Sequence, residues 1–447
     1  MQGLGIGDVR TAARGAWFFD RIVATGSVVV RRLGEGRAEE IAAHRYLSSP
    51  YVTPAGILDA SSGCTARACS ERRIVAAQDT TEINFAGRGA ARRGLGPGSD
   101  GKSPGFFIHP VIAVDAEDEA VIGVVHAQIW TRAGEPVGSR RSRSVADKES
   151  GRWIAGTRAA GERLAAARSI VVVADREGDI YSHFAARPPG VDLAVRARHN
   201  RALEDGGSLF EAATRWPDLK STEVRVAPRG PGDKGRTAQV VLRAGTVRIA
   251  KPATAERHDP KTLALGLVEV REPAPPPGVT ALLWRIVTTL PTDTAAAAAE
   301  VVRLYRLRWR IEEVFRAMKA DGLRLEDTQV LDAERLFRLS ALALGAAVRI
   351  IQLVDARDGS SRPMTDVLDG NLLEAVIVIG KTREGKTARQ KNSHPLGSLA
   401  WLAWIVARYG GWNCYYKPPG PKTMAIGWER FAATLAGFIL AQAEALV

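Results

Sequence analysis

Five consecutive residues, Ile170-Val171-Val172-Val173-Ala174, constrain this chain more than any other stretch. A short β-branched run without polar alternation is the pattern of a strand buried on both faces, which helices must cover from two sides. The class expected is α/β. The run ends in Asp175, and Arg176-Glu177-Gly178-Asp179 make a turn that opens a helix near Ile180 to Ala186. Upstream, Ile74 to Gln78 reads as a strand ending in Asp79, Thr80, Thr81 and Glu82. After a Gly- and Arg-rich loop, Gly87 to Gly105, two more strands are expected over Phe106 to Val114 and Ala120 to Trp130, and a helix from about Lys148 to Ala166 leads into the buried run. Two carboxylates, Asp79 and Asp175, thus emerge at strand ends. Singly, each has an ordinary explanation as a turn or helix cap.

The flanking regions change period. From about Thr11 to Ser70 apolar residues recur at helical spacing, around Ala16 to Ala24 and Arg37 to Leu47, in a segment that carries Arg10, Arg14, Arg21, Arg31, Arg32, Arg37 and Arg45. That charge suits DNA or a solvated helical face equally. Between Val191 and about Trp284, alternating strands such as Leu193 to Arg198, Ser221 to Ala227, Ala238 to Leu242 and Leu265 to Arg271 are separated by Gly- and Pro-rich turns, the pattern of a β insertion. Helical periodicity returns as one long helix over Ala295 to Lys319, another over Ala333 to Asp355, and two near Leu396 to Tyr409 and Met424 to Ala445.

With 447 residues the chain has room for about three domains. A formal charge of +13, carried mostly by arginine, favours a polyanionic partner, although arginine-rich coding bias would give the same balance. Cys64, Cys69 and Cys414 are too few and scattered for a disulfide framework or a zinc site, and the seven histidines form no zinc-like cluster. No uninterrupted apolar run reaches the roughly 18 residues of a membrane span and no signal peptide opens the chain, so a cytoplasmic location without membrane association is expected.

Within the long helix, Tyr305, Arg308, Glu312 and Lys319 follow at steps of three, four and seven residues, which at about 100° per residue places them on one stripe. Leu304, Leu307, Ile311, Val314 and Met318 gather on a separate apolar stripe. One carboxylate among cations and a phenol suits a phosphate-bearing ligand beside a metal; an amphipathic surface helix with intrahelical ion pairs has the same spacing. Brought together, Asp79, Asp175 and Glu312 would bind two divalent metals through oxygen, the preference of Mg²⁺ and Mn²⁺, and so support in-line phosphodiester displacement.

The motifs DTT at Asp79 to Thr81, DKESGRW at Asp147 to Trp153, DREGDI at Asp175 to Ile180 and Y-x2-R-x3-E-x6-K from Tyr305 to Lys319 resemble those of DDE transposases of insertion-sequence family four, closest to the branch represented by bacterial composite transposon number five. HRYLSSP, His44 to Pro50, is similar to a segment of that family's N-terminal domain. The resemblance implies an RNase H-like catalytic core interrupted by a β-strand insertion, with an N-terminal helical DNA-binding domain and a C-terminal helical region. The expected layout is 1–70 for DNA binding, 71–190 and 286–358 for the two parts of the core, 191–285 for the insertion and 359–447 for dimerisation.

It also carries the metal triad onto Asp79, Asp175 and Glu312, with Mg²⁺ as cofactor and Mn²⁺ as a substitute. Tyr305, Arg308 and Lys319 would bind DNA near the cleaved end. Trp284, in WRIVTT, is in register with an aromatic that stacks on a flipped base, and Arg196, in LAVRARHNR, resembles an arginine that contacts transposon-end DNA. Core packing remains the competing explanation for Trp284, and Arg198 and Arg201 fit solvated insertion residues equally well. Partners implied are double-stranded DNA, as inverted terminal repeats and target, and a second copy in a synaptic homodimer. The expected activity is metal-dependent cleavage through a hairpin intermediate followed by strand transfer. An RNase H-like nuclease, or a transposase-derived DNA-binding regulator, is the alternative.

Overall fold

The computed structural model describes residues 8–87, 92–132, 149–226, 235–319, 322–360 and 362–444. Asp147 and Lys148 of the DKESGRW motif and part of the Gly87 to Gly105 loop fall outside them. Helices α1 (Val9–Thr25), α2 (Arg37–Ser48) and α3 (Pro54–Ala68) come first, followed by strands β1 (Arg73–Gln78), β2 (Thr81–Asn84), β3 (Gly96–Pro97), β4 (Pro104–Asp115) and β5 (Val121–Trp130). The middle of the chain holds α4 (Gly151–Arg163), β6 (Ser169–Ala174), α5 (Tyr181–Ala185), β7 (Val191–Arg196), α6 (Leu209–Arg215), β8 (Lys220–Val226), β9 (Arg236–Ala250), β10 (Thr262–Arg271) and β11 (Leu283–Thr288). Helices α7 (Ala295–Arg306), α8 (Trp309–Met318), α9 (Ala333–Ala356), α10 (Leu373–Lys381), α11 (Leu399–Tyr409) and α12 (Pro421–Glu444) complete it.

The chain is mixed α/β and divides into two compact units that are discontinuous in sequence. One comprises Glu71–Asp79 and Pro136–Trp309, the other Met1–Ser70, Thr80–Glu135 and Arg310–Val447. In the first, strands run side by side in the order β1, β6, β7, β11, β10, β9, β8. The β1–β6 and β6–β7 pairs are parallel, and the rest are antiparallel. The IVVVA run is β6, buried from Ile170 onward between these parallel neighbours as its composition requires. Helix α7 packs across β6, β7, β9, β10 and β11, while α4 lies on β1 and β6. Strand β11 pairs directly with β7, so the β-rich segment continues the sheet that holds β6.

In the second unit β4 pairs with β2 and β5, all antiparallel, and α3 and α9 pack on β5. Helices α1, α11 and α12 surround α9. Its 18-residue apolar window is long and hydropathic enough to cross a membrane, as is Pro421–Gln442 of α12, which corrects the expectation that nothing in the chain is. Isolated charged residues break the apolar runs in sequence, but the surrounding apolar residues keep the average high. The α9 window is 78% buried inside the protein, the situation of a core helix, whereas the α12 window is 28% buried.

Three element expectations need correction. Thr81–Asn84 is a strand of its own, β2, rather than the tail of β1. Helix α10, Leu373–Lys381, has no counterpart among the expected helices. The long helix over Ala295 to Lys319 is two helices, because the N–H groups of Leu307 and Arg308 donate to Leu304 and Tyr305, three residues back, and tighten the chain before α8 starts. The apolar stripe survives the break: Leu304, Leu307, Ile311, Val314 and Met318 are all buried.

Candidate active site

Strands β1 and β6 pair in parallel from Arg73 opposite Ser169 to Ala77 opposite Val173. Asp79 and Asp175 each stand six residues beyond the first of those partners, so the two carboxylates occupy matched positions past the carboxyl ends of neighbouring strands. In a parallel sheet such strands lie about 4.8 Å apart. Asp175 caps the following 3₁₀ turn, its Oδ1 accepting from the Glu177 N–H at 2.8 Å. The turn needs Gly178, where a Cβ would stand 2.6 Å from the Ala174 Cβ and 3.2 Å from the Trp153 ring. Asp79 Oδ2 accepts from Arg308 Nη1 at 2.5 Å, and both side chains are only 13% exposed.

The same unit gathers three more of the expected site residues around Arg308. The guanidinium groups of Arg308 and Arg196 both lie within electrostatic reach of the Tyr305 hydroxyl. Burial pushes the Tyr305 phenol up, against the pull of the two arginines, and burial also lowers Arg196 from the ordinary arginine value. The Trp284 ring meets the Tyr305 ring edge-on at 6.2 Å between centroids. Arg196 ends β7, opposite Ile286 of β11, and its Nη2 donates to the Leu283 carbonyl at 3.3 Å. Tyr305 is 6% exposed, and Trp284 beside it is half-buried.

Break and all, Arg308 sits between α7 and α8 rather than on a continuous helical stripe. Glu312, in the first turn of α8, and Lys319, just past its end, belong to the other unit. There burial lowers the Lys319 ammonium, opposed by the charges of Glu326, Glu82 and Glu312. Arg310 anchors α8 by pairing with Glu313 and with Asp355 of α9, whose Oδ2 also accepts the Val121 N–H at 2.9 Å.

The DKESGRW motif does not by itself assign Arg152 a part. Arg152 donates to Glu177 at 2.6 Å, lies within electrostatic reach of Asp175 and Asp79, and is lowered by burial against the pull of those carboxylates. A basic residue within a motif that precedes the buried strand was the available signal. Arg201, which the sequence alone allows as a solvated residue, has its side chain only 9% exposed and paired with Asp179.

Among the described residues no set of three or more His, Cys, Asp or Glu converges on one point as a metal cage. The donor chemistry of the Asp79 and Asp175 pair nevertheless fits a hard divalent cation, since both present carboxylate oxygens from adjacent strand ends. A cation on Asp79 would compete with the Arg308 guanidinium. The transposase DDE domain family matches residues 71–349, a span that includes Asp79, Asp175, Arg196, Trp284, Tyr305, Arg308, Glu312 and Lys319.

The chain belongs to the DDE transposase family. DNA is accordingly the partner of this transposase, and its catalytic class is that of the DDE enzymes, which generally depend on a divalent metal. In this transposase Asp79 and Asp175 follow one parallel strand pair, Arg308 is bonded to Asp79, and the Tyr305 and Trp284 rings meet edge-on in the same unit.

Proposed function

We propose that this transposase binds the inverted terminal repeats of its own element, as a member of insertion-sequence family four near the branch of composite transposon number five, and carries out cleavage through a hairpin followed by strand transfer. The single observation that supports this reading most is the register-matched Asp79 and Asp175 pair with Arg308 bonded to it and Tyr305, Arg196 and Trp284 gathered around Arg308. Under it, Asp79, Asp175 and Glu312 hold two divalent ions in an RNase H-like core, residues 71–190 and 286–358 around the 191–285 insertion. Bound Mg²⁺ or Mn²⁺ would supply Lewis acidity and lower the pKa of an attacking water or hydroxyl.

The protein's own residues do the rest. Arg308 and Arg196 neutralise the backbone phosphate near the cut, Tyr305 binds the backbone beside them, and Lys319 adds charge. Trp284 stacks on the base extruded during hairpin formation, offsetting an unstacking cost of a few kcal/mol. Water nicks one strand, the freed 3′ hydroxyl attacks the other to form the hairpin, water reopens it, and the same hydroxyl attacks target DNA. The Arg-bearing helices of residues 1–70 grip the repeats, residues 359–447 join two copies in a synaptic dimer, and the protein works in the cytoplasm on chromosomal DNA.

Incubation of the protein with a plasmid carrying the gene and its native flanks, in Mg²⁺ or EDTA, tests this. Wild type gives metal-dependent hairpin ends and joined products; Glu312→Gln abolishes both while end binding stays within a few-fold. Cuts without joining would replace transposition by a nuclease activity, binding without cuts would leave a regulator, and equal loss of binding in Glu312→Gln would make Glu312 a structural residue.

A further inference from the structure

Asp179, the last residue of the Arg176 to Asp179 turn, is 2% exposed; its N–H closes the turn on the Arg176 carbonyl, and its carboxylate accepts from the segment after β7. Its Oδ2 accepts the backbone N–H groups of Arg198 and His199 at 2.7 and 2.9 Å. Its Oδ1 accepts from Arg201 Nη2 at 2.5 Å, and the same Nη2 donates to the Asp179 carbonyl at 2.7 Å. The Arg201 side chain is 9% exposed. A buried carboxylate is thus compensated by one guanidinium and two N–H groups, an arrangement in which loss of any partner leaves charge unpaired.

The location of this knot gives it meaning. Asp175 lies four residues before Asp179, and Arg196 lies two residues before Arg198. From the geometry we infer that Asp179 and Arg201 are positioning residues: together they hold the Asp175 carboxylate and the Arg196 guanidinium in one fixed spacing, so that metal and DNA phosphate are bound in register. This rests on the proposed site. Neither residue need touch substrate. Asp179 acts through the turn that Asp175 caps, and Arg201 acts through Asp179.

The test uses full-length Asp179→Asn, Arg201→Lys and Arg201→Ala, with Asp175→Asn in parallel. Asparagine keeps an acceptor for the two N–H groups but turns a donor toward Arg201, and lysine keeps the charge without the planar guanidinium and its reach. Mn²⁺ affinity of the folded proteins is read by electron paramagnetic resonance, and single-turnover nicking is read in preassembled complexes with a duplex of the native flank. Expected for Asp179→Asn are Mn²⁺ affinity weakened several-fold and nicking slowed by about tenfold to a hundredfold, the scale of a misplaced reacting group, with duplex affinity changed less. Arg201→Lys falls between wild type and Arg201→Ala. A purely structural role would lower melting temperature and duplex affinity together and leave the metal dependence of the folded fraction unmoved, which overturns the inference. So would wild-type metal binding and nicking in Arg201→Ala, the decisive comparison if Asp179→Asn does not fold. Nicking by Asp175→Asn would instead overturn the site reading beneath it.

Discussion

At Asp79 a guanidinium already holds the carboxylate that a divalent ion would need. Arg308 contributes a charge-assisted bond of 2.5 Å at a site where both partners are largely shielded, and such bonds are worth roughly 1.5–3 kcal/mol. Removing the competitor should release that carboxylate: Arg308→Ala is expected to bind Mn²⁺ about tenfold more tightly without DNA, measured by metal titration, while its nicking rate falls because the phosphate loses a ligand. Unchanged or weaker metal binding would show that Arg308 does not compete at Asp79. His183 makes a second prediction. It is fully buried, bonded to Thr157 and to the Gly178 carbonyl, and burial pushes its imidazole from 6.5 down to about 4. The unfolded chain therefore binds the proton first, so this contribution is complete above about pH 6.5 and is lost as pH falls toward 4. Unfolding free energies from urea titrations over that window should drop by up to about 3 kcal/mol in wild type and more shallowly in His183→Asn. At this scale the sequence pointed to Asp79 and Asp175 because carboxylates closing apolar runs stand out. It could not show that Arg308 bonds a residue 229 positions away, nor that Arg201 pairs with Asp179.

Elements were readable where one force dominated. Ile170 to Ala174 could only be a covered strand, and Leu304 to Met318 kept its apolar stripe through a break that Leu307, Arg308 and Trp309, all tolerable in a helix, do nothing to announce. Thr81–Asn84 was missed because its partner, Phe106 and its neighbours on β4, lies over twenty residues downstream, and Leu373–Lys381 because Val376, Ile377, Val378 and Ile379 are β-branched residues that a helix tolerates only with tertiary help. Two substitutions probe how tightly elements are set. Gly178→Ala forces a methyl against Ala174 and Trp153 and should cost about 1–3 kcal/mol in denaturant unfolding, with nicking impaired because the Asp175 turn must shift. Asp355→Ala strips Arg310 of its carboxylate on α9 and removes an acceptor from Val121; destabilisation of roughly 2–3 kcal/mol is expected, and a change below about 0.5 kcal/mol would mean that Glu313 alone satisfies Arg310.

Over the whole molecule, charge and chain path matter most. An excess of 13 positive charges predicts that duplex binding is dominated by counterion release; if about six phosphates are neutralised, log K should fall against log salt with a slope near −5, measurable by fluorescence anisotropy. A slope near zero would contradict DNA as the partner. The division into two units was not readable, because each is assembled from segments far apart in sequence and local patterning carries no record of which distant segments pack together. That interleaving bears on synthesis. A nascent chain emerging from the ribosome completes Glu71–Asp79 and Pro136–Trp309 before Arg310 has been translated, whereas Met1–Ser70 and Thr80–Glu135 must wait for the final third of the message. Asp79 and Asp175 are made early and Glu312 late, so a polypeptide terminated before Glu312 would lack the third carboxylate of the proposed metal site, and under that proposal this transposase becomes competent to cut only after translation has passed Glu312.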